Sequence, residues 1–225
     1  MTIVLNGTTG LTTNIALPAG STSLAPLDFT SGTNLTTPIS GAMEYDGTRL
    51  MFTPIGTQRG VIPGMQIYRL DSGLAGANSG TAQSILGVGV TLTAGTVYAF
   101  EHQYALAKTA GTTSHTVGYS FGGTATINNI LWYSHYTQSG VAGGMPGGTG
   151  THAIATNVGL TGAATSTGIT TASIGFIHKG FGTISINAGG TLIPQYNLSA
   201  APGGAYTTTA GSYFAIWPIG AAGAN

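Results

Sequence analysis

The chain has 225 residues, of which only 4% are charged, five basic against five acidic, with zero formal net charge and no cysteine, where an ordinary globular domain carries about 25% charged residues. That balance excludes a nucleic-acid surface built on clustered Lys and Arg, a disulfide framework and a thiolate metal site. With 42% hydrophobic residues, 10 Tyr, 7 Phe and 2 Trp it is not a disordered composition either, and so little charge leaves little to hold copies apart, so an oligomer is expected.

The first residues, Met1 to Asn6, contain no basic region and no sustained apolar run, and no later window approaches the ~18 apolar residues of a membrane span. The expectation is a protein made and kept in a cytoplasm, which reaches the outside only within a released particle. Sequons at Asn6, Asn34 and Asn197 are what a Thr-rich chain produces by chance. Residues 1–40 are rich in Thr, Gly and Asn, with short apolar runs at 3–5 and 24–29 and prolines at 18, 26 and 38. Proline is kept out of central strands, so this stretch reads as an extended arm with brief edge pairings and little core of its own.

GAMEYDGTRLMFTP, residues 41–54, follows. Asp46-Gly47 between two strand-like runs predicts a tight hairpin, because Gly accepts positive φ. Glu44 is expected to pair with Arg49 across it. Asp28, Glu44, Asp46, Arg49, Arg59, Arg69 and Asp71 are seven of the ten charged residues in the chain. This concentration makes Asp28, Glu44, Asp46, Arg49, Arg59 and Arg69 candidates for attachment to a different protein, since docking on a foreign surface needs polar specificity. The alternative is that they solvate turns.

From Gln66 onward the pattern is β. Strands are expected at 66–70, 83–91, 96–107, 115–121, 127–135, 173–178, 182–187, 191–198 and 212–219, separated by TAG and GG turn signals. In TVYAFEHQYALAK, Tyr98, Phe100, His102, Tyr104 and Leu106 share one face, while Glu101 points to the other and forms no dyad with His102. Residues 139–170 hold small residues and predict a long surface loop or a thin β excursion. The whole reads as an all-β chain: an arm and hairpin over 1–65, then a jelly-roll-like β-sandwich over 66–225.

Little chemistry is on offer. Glu44 and Asp46 have the two-residue spacing that puts carboxylates on one strand face, as a glycosidase pair needs, but the turn and an ion pair account for them better. His102, His115, His135, His152 and His178 include no His-x-His, so each reads as a satisfied histidine rather than a metal ligand, one per chain on a three-fold axis. No phosphate-binding loop occurs. No catalytic residue, metal or cofactor is expected. Trp132, Tyr133 and Tyr136 form the densest aromatic group; facing solvent they would stack on sugar rings, and facing inward, the simpler reading, they are core. Phe214 and Trp217 read as packing residues.

The EYDGT…FTP hairpin with an Arg a few residues beyond it resembles a segment of virion proteins of tailed bacteriophages, the similarity covering residues 30 to 62. The resemblance implies a non-enzymatic structural protein of the virion surface, assembled in the bacterial host cytoplasm, in which an attachment segment is coupled to a trimeric β-structured head. One form is a homotrimeric decoration or cement protein on the outer head, its arms reaching the major capsid protein or another virion protein. The other is a short tail fibre that binds a host surface glycan. The chain lacks the long repetitive shaft of a self-sufficient fibre, which favours decoration. Neither form implies contact with nucleic acid or membrane.

Overall fold

The computed structural model describes residues 17, 19–139, 151–163 and 165–221, with backbone alone for 139, 151 and 152. These residues form fifteen strands and no helix. The first three, β1 (Met43–Tyr45), β2 (Leu50–Ile55) and β3 (Gln58–Val61), make an antiparallel meander. Its first turn is the expected hairpin, with a four-residue loop: Tyr45 pairs with Leu50, Gly47 takes φ +90°, and Asp46 Oδ1 accepts the amides of Thr48 at 2.8 Å and Arg49 at 2.7 Å. The carboxylate acts as a surrogate backbone carbonyl, so Asp-Gly both permits and holds the turn.

The rest of the chain forms two further sheets. Its strands are β4 (Gln66–Arg69), β5 (Leu74–Ala75), β6 (Gln83–Ser84), β7 (Val90–Leu92), β8 (Thr96–Lys108), β9 (Val117–Gly123), β10 (Thr126–Ser139), β11 (Thr151–Asn157), β12 (Ile174–Ala188), β13 (Gly190–Leu198), β14 (Thr207–Thr208) and β15 (Tyr213–Ala221). The larger sheet has eight strands in the order β11-β10-β12-β8. The far edge of β8 is shared by β15, with β4 outside it, and by β14, with β5 outside it. In the smaller sheet β13 lies between β9 and the short strands β6 and β7.

Strand β8 alternates as its sequence predicts, with Tyr98, Phe100, His102, Tyr104 and Leu106 buried and Glu101 exposed. On the smaller sheet Val117, Tyr119 and Phe121 of β9 and Leu192, Tyr196 and Leu198 of β13 are buried towards it. The layers interlock edge to face: Phe121 meets Phe100 at 5.2 Å and 74°, and Trp132 at 5.2 Å and 68°. The fold is an all-β, sandwich-like packing of antiparallel sheets around one aromatic core.

Two strand expectations differ from the structure, and the stretch expected as a loop or thin β excursion contains a strand. The strands expected at 173–178 and 182–187 are one continuous strand, β12, and the intervening KGFG does not break it. Gly180 pairs with both His102 and Ser134, and Gly182 with both Phe100 and Trp132. A Cβ on Gly180 would stand 2.5 Å from His102 Cε1, and one on Gly182 would overlap Trp132. The glycines form a trough in the strand that receives the His102 ring at Gly180 and the Cα and Cβ of Trp132 at Gly182. Conversely, the single strand expected at 83–91 is split into β6 and β7, with Gly87 at φ +71° between them. Within 139–170, residues 151–157 form β11 on the edge of β10, while 140–150 lie outside the described residues.

In contrast to the body, Met51 and Thr53 are the only buried side chains among the described residues up to 65. Leu24, Leu27, Ile39, Ile55 and Met65 are each more than half exposed.

The trough yields a direct expectation. Gly182→Ala lowers the unfolding free energy by about 1–3 kcal/mol through overpacking against Trp132, whereas Gly64→Ala, where nothing lies within 4 Å of an added Cβ, leaves it unchanged. Urea unfolding of the two variants against the parent checks this.

Candidate functional site

The charged residues of the arm and meander turn largely towards one another. Glu44 pairs with Arg59, not with Arg49: Arg59 Nε lies 2.7 Å from Oε2 and its terminal nitrogen 3.0 Å from Oε1. The same guanidinium donates to the Leu35 carbonyl, and Glu44 Oε1 accepts the Leu35 amide at 2.6 Å. The expected cross-hairpin pair is displaced because Arg49 is taken by Asp46 at 2.9 Å. Arg59 comes from β3, a strand the sequence reading did not include. The Arg59 hydrogen bond, then the Leu35 amide, hold the Glu44 carboxyl below its ordinary range. At Asp46 burial pushes upward, but the Arg49 and Thr48 amides and the Arg49 charge outweigh it and the carboxyl is lowered. Each carboxylate is thus committed to a different arginine, which leaves no acid–base pair. Arg69 pairs with Asp71 at an exposed position, and Asp28 is exposed.

Trp132 and Tyr136 are core residues, each 1% exposed, and the Trp132 indole donates to the Gly159 carbonyl at 2.9 Å. Neither reaches a ligand at the surface. Tyr133, between them in β10, faces out. Phe214 is buried, but Trp217 is only half-buried and belongs to the outer face.

Among the histidines, His102, His115 and His178 are buried. Thr113's carbonyl accepts from His115 Nδ1 at 2.7 Å, which leaves Nε2 to accept the Tyr206 hydroxyl at 2.8 Å. His102 and His178 lie edge to edge, Nε2 to Nδ1 at 3.0 Å with planes 17° apart, so one proton is shared between two neutral rings. Tyr119 stacks on His178 at 3.7 Å, and Tyr104 on His102 at 4.4 Å. The far ring nitrogens, His102 Nδ1 and His178 Nε2, and the hydroxyls of Tyr104 and Tyr119 make no hydrogen bond among the described residues. Burial pushes His102 down to about 3 and, with the His102 and His135 charges, His178 well below its ordinary value. Among the described residues no three His, Asp or Glu side chains gather as a metal site would require. The side chain of His152 lies outside the described residues. The sequence reading also missed Lys108, which is buried at the end of β8 and donates to the carbonyls of Gly111 at 2.7 Å and Thr171 at 2.6 Å.

The outer face of the larger sheet exposes a group of aromatic and apolar side chains. Strand register sets it out in rows. Trp217, Ala99, Thr183 and Leu131 lie in one row, and Glu101, Phe181, Tyr133 and Thr156 in the next. Gln103, Lys179, His135 and Ile154 follow. Phe181 is 61% and Leu131 54% exposed, and Phe181 stacks against Tyr133 at 5.2 Å. A cleft of about 480 Å³ spans the first two rows. A hollow of about 330 Å³ spans the second and third.

No known protein family matches the sequence, and no curated protein matches it. A structural likeness was found to a solved structure of infectious bursal disease virus, Gx strain, at 12% identity and a TM-score of 0.19, covering 81% of this chain and 44% of that one. The likeness is too slight to assign fold or function.

Two expectations follow. Below about pH 6.5 the unfolded imidazoles take up protons that the folded His102–His178 pair refuses; stability is therefore full above that pH and falls as pH drops towards 3, by up to about 1.4 kcal/mol per pH unit per ring. Chemical unfolding at pH 7 and pH 5 checks it: the double variant His102→Phe, His178→Phe has the shallower dependence, and an equal one would show that the pair is not responsible. In the arm, Arg59→Ala frees both Glu44 and Leu35. Hydrogen exchange should then speed up at the Leu35 amide while the melting of the body is unchanged.

Proposed function

We propose that this chain is a non-enzymatic structural protein of a tailed-phage particle, a homotrimer that decorates the outer surface of the head and is attached through residues 1–65. One observation carries the reading. Residues 19–65 expose a series of large apolar side chains, among them Leu24, Leu27, Ile39 and Ile55, while the ion pairs of this segment close on themselves. A stretch that is apolar outside, with its charges other than Asp28 paired within it, suits docking on another protein by apolar contact and strand pairing, and many weak arms on one lattice add by multivalency. The Glu44–Arg59–Leu35 network gives the arm its shape rather than its partner. This revises the part played by Glu44, Asp46, Arg49 and Arg59, which stiffen the attachment segment from within. The EYDGT…FTP resemblance supplies the particle, and the low charge of the body favours association of copies.

A short tail fibre is the second reading, favoured by the exposed aromatic residues Phe181 and Tyr133 on the outer sheet face.

Labelling of intact particles with an antibody against the body separates the two. Signal over the head is expected; signal confined to the tail would replace decoration by the fibre. Light scattering at micromolar concentration is expected to give three times the mass of one chain, and a monomeric mass would remove the trimer.

A further inference from the structure

We infer that the outer face of the larger sheet is a saccharide-binding groove, with sugar rings lying against Phe181, Tyr133 and Trp217 and hydroxyls engaging Glu101 and Gln103. The inference names the ligand class of the aromatic face on which the fibre reading rests, and it holds equally for a body placed on the head.

The groove is built by strand register. Ala99 of β8 is the small residue of its row, with Trp217 of β15 on one side and Thr183 and then Leu131 on the other. In the next row Phe181 and Tyr133 are stacked side by side, with planes 26° apart. The floor is low and the sides are large, and the cleft of about 480 Å³ falls in the range of small-molecule sites, about 300–1,000 Å³. The adjoining hollow shares Glu101, Tyr133 and Phe181 with it and continues the groove into polar residues, Gln103 and Lys179 among them. An oligosaccharide has the matching pattern, since each ring has an apolar C–H face and a rim of hydroxyls.

Glu101 favours an occupant that supplies hydrogen-bond donors over an apolar one. It is exposed in the same row as Phe181 and Tyr133, forms no ion pair among the described residues, and accepts only the Tyr213 hydroxyl at a long 3.5 Å. Lys179 likewise makes no ion pair among the described residues. An apolar protein face would strip water from both charges and return no partner, which is unfavourable. A ligand with paired hydroxyls instead supplies donors to the carboxylate as its ring covers the aromatics.

The test uses the purified full-length chain on a printed array of bacterial surface polysaccharides and hexose oligosaccharides of various lengths, so it does not depend on where the protein sits on a particle. Retention of at least one saccharide is expected, weakened about tenfold or more by Phe181→Ala through lost stacking and also by Glu101→Gln. Both side chains are exposed, and circular dichroism verifies that the variants are folded. In a Trp132→Phe background, Trp217 becomes the single indole, and its fluorescence should respond to the retained saccharide. No retention across the array would overturn the inference, as would retention unaffected by either substitution. A drop in oligomer mass on Phe181→Ala, with saccharide retention unchanged, would assign the face to copy–copy contact instead.

Discussion

The body depends on how β12 makes room for both of its neighbours. A central strand normally fills its own share of the core; here Gly180 leaves room for the His102 ring from β8, and Gly182 for the close approach of β10 at Leu131 and Trp132. The His102 and Trp132 rings lie 6.1 Å apart and both meet Phe121 of the opposing sheet. Close packing of this kind substitutes for the disulfides and charge networks that the composition rules out. It also draws β10, β12 and β8 into a tight layer whose reverse side is the outer face. Phe181 points outward because it alternates between the two trough glycines, so the packing of the core and the character of the groove come from the same tetrapeptide.

Polar groups are few, and most have a local task. Arg59, Glu44 and the Leu35 peptide form one closed network, and Asp46 with Arg49 another. Lys108 donates to backbone carbonyls at the end of β8 rather than to a carboxylate. Burying neutral His102 and His178 with two tyrosine hydroxyls has an energetic cost, since these groups keep unpaired polar atoms in an otherwise apolar core. Glu101 and Lys179, like Asp28, form no ion pair among the described residues. Glu101 and Lys179 both lie on the outer sheet face.

Much of the fold was legible because β-strands carry their signal locally. The alternation of β8, the Asp46-Gly47 turn and the ends of most long strands depend on neighbours in sequence, and they appear where expected. Two glycine readings failed for opposite reasons. Gly180 and Gly182 resemble a break but answer to residues 50 and more positions away, whereas the glycines within 83–91 do interrupt a run that seemed continuous. The aromatic cluster was visible as a cluster, yet period-two alternation alone does not say which face is inside. Phe181 escaped notice because it stands alone between glycines and becomes part of a surface only when β12 pairs with β10.

By itself, the sequence determined the all-β class, the absence of thiol chemistry and the place of the hairpin turn, because composition and short-range turn stereochemistry need no partner strand. Tertiary structure decided which arginine each carboxylate meets, which of Trp132, Tyr133 and Tyr136 faces water, and that Trp217, Phe181 and Glu101 share a groove. Those facts depend on strand order and register, which long-range pairing sets and local sequence does not encode.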